Sequence, residues 1–261
     1  MINDAPVAHR LGAVNGSGPL LALVHGLEDR WESWAPLVQC LDRSWRLLAF
    51  DMPWRTGNSY RWRQVGTPGA WLARALERVN EPLDVIVGHS FGANAVLELL
   101  ATADPPPSHC AVLLSPFYRP QDLPITWEVF EQSRRSFDRI VGQGLRARLG
   151  DRNAAVTEEI LQIMAVKSGT DRIGPLGFMA LFEQFAASAD LALGAVTVPT
   201  LILSSTSDPS LAHGRAEALA RQMPCATVVL SDDLAHFCHV QDAASVVGAL
   251  KAFLQEVRTS T

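Results

Sequence analysis

Short apolar runs along the chain alternate with segments of helical periodicity. The apolar runs predict strands at residues 20–24, 45–50, 84–87, 111–114, 199–203 and 226–230. Apolar residues at helical spacing predict helices near residues 34–41, 70–79, 93–101, 211–223 and 243–257. This regular alternation predicts an α/β fold, in which a mostly parallel twisted sheet carries helices on both faces.

One helical block interrupts the alternation. Between residues 116 and 192 no run resembles a strand, whereas residues 127–149, 156–166 and 176–187 all have helical character. We therefore predict a core domain made of residues 1–115 and 193–261, with residues 116–192 forming an inserted helical cap, or lid. The cap would begin after the strand that ends near Ser115 and would lie over the ends of the strands.

Charge and composition narrow the partners that we expect. The 261 residues carry a formal net charge of −5, which offers no basic field to nucleic acid. No apolar run approaches the roughly 18 residues of a membrane span, and the first ten residues lack the pattern of a secretory signal. The four cysteines are scattered, without a C-x-x-C pair. We expect a cytoplasmic monomer or homodimer with a small-molecule substrate, no nucleic-acid or membrane partner, and no metal or cofactor.

A candidate nucleophile directly follows the strand at residues 84–87. The pentapeptide Gly88-His89-Ser90-Phe91-Gly92 matches the G-x-S-x-G pattern, in which a tight strand-to-helix turn exposes the serine hydroxyl above the sheet. Glycines flank the serine because the turn leaves little room for side chains. The pentapeptide alone is weak evidence, but a strand before it and a helix after it are the context that the motif requires. Ser90 is therefore the predicted nucleophile.

A serine hydroxyl needs a neighbouring base to react at neutral pH. His236 and His239 lie in a late loop, between the last predicted strand and the last helix, from which either could reach Ser90. Asp208 lies after the strand at 199–203, at the same end of the sheet, and could orient the base. Asp208 is also a typical turn residue before Pro209, and the two roles are compatible.

Two backbone N–H groups are candidates for binding the oxyanion of a tetrahedral intermediate. One belongs to Phe91, directly after the predicted nucleophile, and the other to Leu27, in the loop after the strand at 20–24. Gly26 would let this loop approach the substrate closely. The simpler interpretation of residues 25–27 is a turn that ends the strand.

These motifs together resemble the α/β-hydrolase superfamily, and in particular its capped, esterase-like branch of serine hydrolases. The matching segments are His25-Gly26, the pentapeptide at 88–92, the run Val198-Pro199-Thr200-Leu201-Ile202 that leads to Asp208, and Ala235-His236 with Gln241 five residues on. The resemblance covers nearly the whole chain and implies a Ser90, Asp208, His236 triad. It also favours His236 over His239 as the base.

The chain departs from the family pattern in several places. The loop that usually reads D-x-P-G-H-G-x-S is one residue longer and reads Asp51-Met52-Pro53-Trp54-Arg55-Thr56-Gly57-Asn58-Ser59. We expect it to form an individual wall of the active site. The usual glycines before Asp208 and His236 are absent. The segment before Leu20 has room for one strand only, so the family's first edge strand is expected to be missing.

Aromatic residues of the predicted cap and of two loops are candidates for substrate contacts. Most aromatic side chains at helical spacing simply pack in a core, but a cap must present some apolar surface to the cavity beneath it. An uncharged, fairly bulky substrate is favoured for this reason. The candidate residues are Trp31, Trp54, Phe117, Trp127, Phe178 and Phe182.

Three functions are compatible with these features. The first is hydrolysis of a carboxylic ester or thioester through an acyl-enzyme. The second is a dedicated biosynthetic step that uses the same triad for elimination, acyl transfer or C–C cleavage, which the unusual loop at 51–59 makes plausible. The third is a binding protein, which would have no need of an activated Ser90. The sequence leaves the substrate open.

Overall fold

A seven-stranded sheet forms the centre of the molecule. The computed structural model describes residues 5–12, 16–150, 156–211 and 214–260. The strands follow the spatial order β1-β3-β2-β4-β5-β6-β7, and their bounds are β1 Val7–Gly12, β2 Leu20–Val24, β3 Arg46–Asp51, β4 Leu83–His89, β5 Ser108–Leu114, β6 Thr200–Ser205 and β7 Ala226–Ser231.

All neighbouring strands are parallel except β1, which pairs with β3 in antiparallel register. The prediction of a mostly parallel sheet is confirmed, and β1 is the one strand before Leu20 in the described part of the chain. Because β2 and β4 to β7 run in one direction, the loops that follow them meet at the same edge of the sheet. That edge is where ligands bind in open α/β sheets.

Alternating side chains of the strands form two hydrophobic clusters, one on each face of the sheet. Leu20, Ala22 and Val24 of β2 belong to one cluster, together with side chains of the helices α2 (Pro68–Leu76) and α3 (Phe91–Thr102). Leu21 and Leu23 belong to the other, together with side chains of α1 (Ala35–Cys40) and α9 (Ala243–Ser260). This period of two explains why the central strands read as uninterrupted apolar runs, since both of their faces are buried.

The helices of the core lie close to their predicted positions. Their bounds are α1 Ala35–Cys40, α2 Pro68–Leu76, α3 Phe91–Thr102, α7 Arg215–Gln222, α8 Cys238–Gln241 and α9 Ala243–Ser260. Helix α2 begins two residues earlier than predicted because Thr67 caps it, with its hydroxyl accepting from the N–H of Ala70. The predicted helix at 211–223 is seen as α7, and residues 212 and 213 lie outside the described part.

The described chain between β5 and β6 contains helices and loops but no strand. It contains α4 Trp127–Leu149, α5 Glu158–Lys167 and α6 Gly174–Ala187, with a π-helical turn at Ser168–Ile173. Hydroxyls of Thr126 and Thr157 cap α4 and α5. Phenylalanines of α6 join the same hydrophobic cluster as α3, so this helical segment packs directly onto the sheet domain.

Candidate active site

Ser90 occupies a sharp turn between β4 and α3. Its backbone has φ 50° and ψ −116°, a left-handed conformation that costs energy in a residue with a side chain. The two glycines beside it allow the turn, because a Cβ on Gly88 would lie 2.6 Å from the Cα of Ala93 and one on Gly92 would lie 2.4 Å from the carbonyl oxygens of Val24 and His25. The result is a serine held rigidly at the carboxyl end of a central strand.

The structure brings the three predicted triad side chains together. The Ser90 hydroxyl lies 3.0 Å from Nε2 of His236, and Nδ1 of His236 lies 2.8 Å from Oδ2 of Asp208. All three residues are buried. With Nδ1–H donating to the carboxylate, Nε2 is left unprotonated and able to accept the serine proton.

The Asp208 carboxylate is held in its charged form. Burial by itself would raise its pKa, but the charge and hydrogen bond of His236, with hydrogen bonds from Ser210, lower the pKa to about 2. The backbone N–H of Ser210 donates to Oδ1 at 2.9 Å, and the Ser204 hydroxyl donates to Oδ2 at 3.4 Å. Asp208 therefore serves as a fixed anion that orients the imidazole.

The loop after β2 lies directly against this turn. A Cβ on Gly26 would lie 3.1 Å from Nδ1 of His89 and 3.5 Å from the Cβ of Ser90, so the backbone at Gly26 packs closely against the turn. Leu27 and Ser90 both line one cavity, and Phe91 begins α3, where first-turn N–H groups have no acceptor within the helix. Of the two predicted oxyanion donors, Phe91 thus follows Ser90 directly in the chain, and Leu27 shares a cavity with Ser90.

Two adjoining cavities of about 50 and 30 Å³ reach Ser90. Phe137, Ile140 and Leu181, from α4 and α6, line both of them. Phe117 and Phe185 line the smaller one, whereas Leu27 and His236 line the larger one. The floor of the site therefore comes from loops at the sheet edge. Its roof comes from the helical segment between β5 and β6 and is mostly apolar, with Arg148 and three polar side chains of α4.

Comparison with known proteins agrees with this arrangement. Residues 21–249 match the sequence model of the alpha/beta hydrolase family. The chain belongs to that family. Membership supports hydrolase activity in general. No curated protein matches the sequence.

Several solved structures share the fold of this alpha/beta hydrolase. The hydrolase olei00960 of Oleispira antarctica superposes with a TM-score of 0.68 at 16% identity, over 95% of this chain and 94% of that one. The epoxide hydrolase VrEH1 of Vigna radiata gives 0.65 at 17% identity, over 96% and 94%. A thioesterase domain from the curacin biosynthetic pathway gives 0.60 at 16%, over 95% of each chain.

Of the six aromatic residues predicted to contact substrate, only Phe117 lines a cavity that reaches Ser90. Trp31 instead stacks on His9, with the ring centroids 4.6 Å apart. Trp54 is fully buried, donates its indole N–H to the carbonyl of His25 at 3.0 Å and packs edge-on against Phe91. Trp54 thus packs against Phe91 and the end of β2, and it lines neither cavity.

The other three predicted contacts lie within or on the helical segment. Trp127 is 73% exposed and stacks on Phe130. Phe178 and Phe182 are buried and pack against Phe130, away from Ser90. The sequence pattern predicted that these residues lie on apolar helices, but it did not indicate which face of each helix points to the cavity. The cavity-lining Phe137, Ile140 and Leu181 were missed, although the spacing of 137 and 140 is helical.

The loop at 51–59 was expected to form a wall of the active site, yet none of its residues lines either cavity. The loop is instead held by hydrogen bonds to Glu28. The buried Glu28 carboxylate accepts hydrogen bonds from Asn58, Tyr60 and the N–H of Gly57, at 2.6, 2.8 and 3.1 Å. Glu28 directly follows Leu27 and has φ 54°. No sequence pattern marked it, because its partners come from about 30 residues away.

The second candidate base, His239, lies apart from Ser90. It is fully buried, and its ring packs at a tilt against Trp34 and His89, with ring centroids 4.7 and 4.2 Å apart. Burial lowers its pKa to about 4, and burial also lowers the pKa of His89 well below the usual range. Both imidazoles are therefore neutral near pH 7.

No helix in the described part of the chain is long and apolar enough to span a bilayer.

Proposed function

We propose that this chain is a serine hydrolase that cleaves a carboxylic ester or thioester of a fairly hydrophobic small molecule. The observation that carries the proposal is the continuous hydrogen-bonded series from Ser90 through His236 to Asp208, at the foot of an apolar cavity. Proximity to a base of this kind activates a serine hydroxyl. The likeness to a thioesterase domain supports including thioesters.

In the proposed reaction, Ser90 Oγ attacks the acyl carbon while Nε2 of His236 accepts its proton. The resulting imidazolium, stabilised by Asp208, donates that proton to the leaving alcohol or thiol as the C–O or C–S bond breaks. Water then attacks the acyl-enzyme while His236 again acts as the base. The acid product leaves, and the Ser90 hydroxyl is regenerated. The chain needs no further reactant for this cycle.

The negative charge that develops on the acyl oxygen would be bound by the N–H groups of Leu27 and Phe91. Such donors are effective because they are already oriented before the reaction starts. The position of Gly26 against Ser90 and the burial of Trp54 behind Phe91 support this assignment. Removal of one donor of this type typically lowers kcat by about 10²- to 10³-fold.

We further propose that residues 116–192 act as a cap that determines which acyl or alcohol group is accepted. Its contribution to the cavities is mostly apolar, through residues such as Phe137, Ile140 and Leu181, although Arg148 and three polar side chains of α4 also line them. Walls that are mostly apolar favour uncharged groups. The cavities are narrow, so a bulky substrate requires the cap helices to shift outward.

The proposal is tested by labelling the folded protein with a fluorophosphonate probe and assaying p-nitrophenyl esters of increasing chain length. We expect modification of Ser90, and turnover that falls by at least about 10⁴-fold in Ser90→Ala. The matched control is Ser245→Ala, an exposed serine on α9, which should retain full activity.

The two other functions give different results in the same experiment. Absence of label on Ser90 in folded protein would contradict serine catalysis and favour a binding role. Labelling of Ser90 with negligible turnover of every ester and thioester would favour elimination, acyl transfer or C–C cleavage with the same triad.

A further inference from the structure

Three side chains that the proposed reaction does not use form a cluster next to the triad. His89, His239 and Asp29 each place one potential metal-ligand atom within 4.8 Å of those of the other two. The two histidines are almost fully buried, and the Asp29 side chain is 13% exposed. Among the described residues this is the one such group of histidine, cysteine and carboxylate side chains.

The nitrogens of this cluster are unusual because they lack partners. Nδ1 of His89 and both ring nitrogens of His239 are buried without a hydrogen bond in the described structure. Buried polar atoms are normally paired, and an imidazole always carries at least one lone pair or N–H for which burial without a partner is unfavourable. These nitrogens are therefore available to bind a component that enters the cluster.

The chemistry of His89 indicates what that component is. Its Nε2 lies 2.9 Å from the carbonyl oxygen of His236, so Nε2 carries the proton and donates it to that oxygen. Nδ1 is then the unprotonated nitrogen, with a lone pair that can bind a cation but not a carbonyl. A histidine that donates its second N–H to a backbone carbonyl is the usual arrangement around a bound metal.

We propose that His89, His239 and Asp29 bind a divalent transition metal ion of the zinc class. Two imidazoles and one carboxylate form a donor set that suits such ions, and the fourth position would face the cavity. Because the three ligand atoms lie within 4.8 Å of one another, there is a point no more than about 2.8 Å from each of them, and modest side-chain rotations would reach the roughly 2.0–2.2 Å of zinc–ligand bonds.

The surroundings provide an entry path and a link to catalysis. Asp29 and His89 both line the larger cavity that reaches Ser90, so an ion can arrive from the substrate side. His89 directly precedes Ser90, and Asp29 lies two residues after Leu27. A metal that joins them would tie the nucleophile turn to the oxyanion loop. We expect an occupied site to lower turnover, because the bound ion occupies part of the cavity.

Binding is measured on tag-free protein treated with a chelator and then titrated with Co²⁺ and Zn²⁺. We expect one ion per chain, a visible absorption of four-coordinate Co²⁺, and a rise in Tm with metal concentration. Ser90→Ala should bind equally well, so this result does not depend on the proposed hydrolase activity. Failure of the wild-type chain to bind one ion per chain would overturn the proposal.

Two variants test the assignment of the ligands. His239→Phe keeps a ring against Trp34 and removes both nitrogens, and Asp29→Asn removes the charge from a partly exposed position. Each should weaken binding at least tenfold, whereas the control His109→Ala, at an exposed histidine, should not. If His239→Phe does not fold, Asp29→Asn decides. Undiminished binding or undiminished zinc inhibition in these variants would place the ion elsewhere, for example on His236, and would contradict the site.

Discussion

The floor and the roof of the Ser90 cavity are built in different ways. The floor consists of loops after β2, β4, β6 and β7, whose side chains are fixed by buried hydrogen bonds such as those of Asp208 and Glu28. The roof consists mainly of helices α4 and α6, whose side chains Phe137, Ile140 and Leu181 are held by packing. Its one hydrogen bond to the floor among those described is from Arg148 to the carbonyl of Glu28, at 3.3 Å.

The floor and the roof differ because the proposed reaction requires different properties from each. Proton transfer requires atoms held at hydrogen-bond distance in fixed directions, and buried hydrogen bonds supply direction. An apolar wall requires only shape and tolerates substitutions that conserve volume. We therefore expect substitutions in the floor to have large effects and substitutions in the roof to have small ones.

The largest expected effect in the floor is that of Asp208→Asn. The amide keeps the shape of the carboxylate but cannot hold His236 in the required tautomer, so kcat should fall by roughly 10³- to 10⁴-fold while the fold is retained. Steady-state kinetics with an ester substrate measure this. Asp138→Asn, an exposed acid on α4 that pairs with Arg134, is the matched control in the roof. A loss of similar size in Asp138→Asn would remove the distinction between the two sides.

The next effect is on stability, from Gly92→Ala. The new Cβ would lie 2.4 Å from two backbone oxygens at the end of β2, which cannot move aside as a side chain can. The free energy of unfolding should drop by about 3 kcal/mol or more, as measured by urea denaturation. Gly248→Ala on α9, where a Cβ meets no atom within 4 Å, should be neutral or stabilising. An unchanged midpoint in Gly92→Ala would contradict the rigid floor.

Acid stability provides the third comparison. The pKa of Asp208 is lowered from 3.8 to about 2 in the folded protein, so its contribution to stability is complete above about pH 4. That contribution, about 2 kcal/mol, is lost as the pH falls from about 4 to about 2. Tm measured across this range should therefore decline less steeply in Asp208→Asn than in wild type. Parallel curves would show that the buried pair does not contribute.

The smallest effect distinguishes two glycines in the roof. A Cβ on Gly144 would lie 2.8 Å from the ring of Phe237, beside His236, whereas one on Gly142 would meet only Ala165 at 3.7 Å. Gly142→Ala should stabilise α4 by about 0.5–1 kcal/mol through helix propensity. Gly144→Ala should not show this gain, because Phe237 must shift. Its free energy of unfolding should be about 1 kcal/mol lower than that of Gly142→Ala. Equal urea-denaturation midpoints for the two variants would show that α4 does not pack tightly against the loop that carries Phe237 and His236.

The sequence was most informative where local patterns and chemistry coincide. Ser90, Asp208 and His236 each come after a predicted strand. Because parallel strands end on the same side of a sheet, this placed all three residues at one edge. It was least informative for the apolar wall. Trp127 and Phe182 share with Phe137 the property of being aromatic on a helix, but the side of each helix that faces Ser90 depends on how the helices pack.

Local sequence thus determined the order of strands and helices, the turn at Ser90 and the candidate chemistry, because these depend on periodicity and on glycine positions a few residues apart. Tertiary structure alone decided that Glu28 fastens the loop at 51–59, that Trp54 lies beneath Phe91, and that His89 meets His239 and Asp29. Each of these contacts joins residues about 25 to 210 positions apart, and packing of the whole chain selects such pairs from many that the sequence allows.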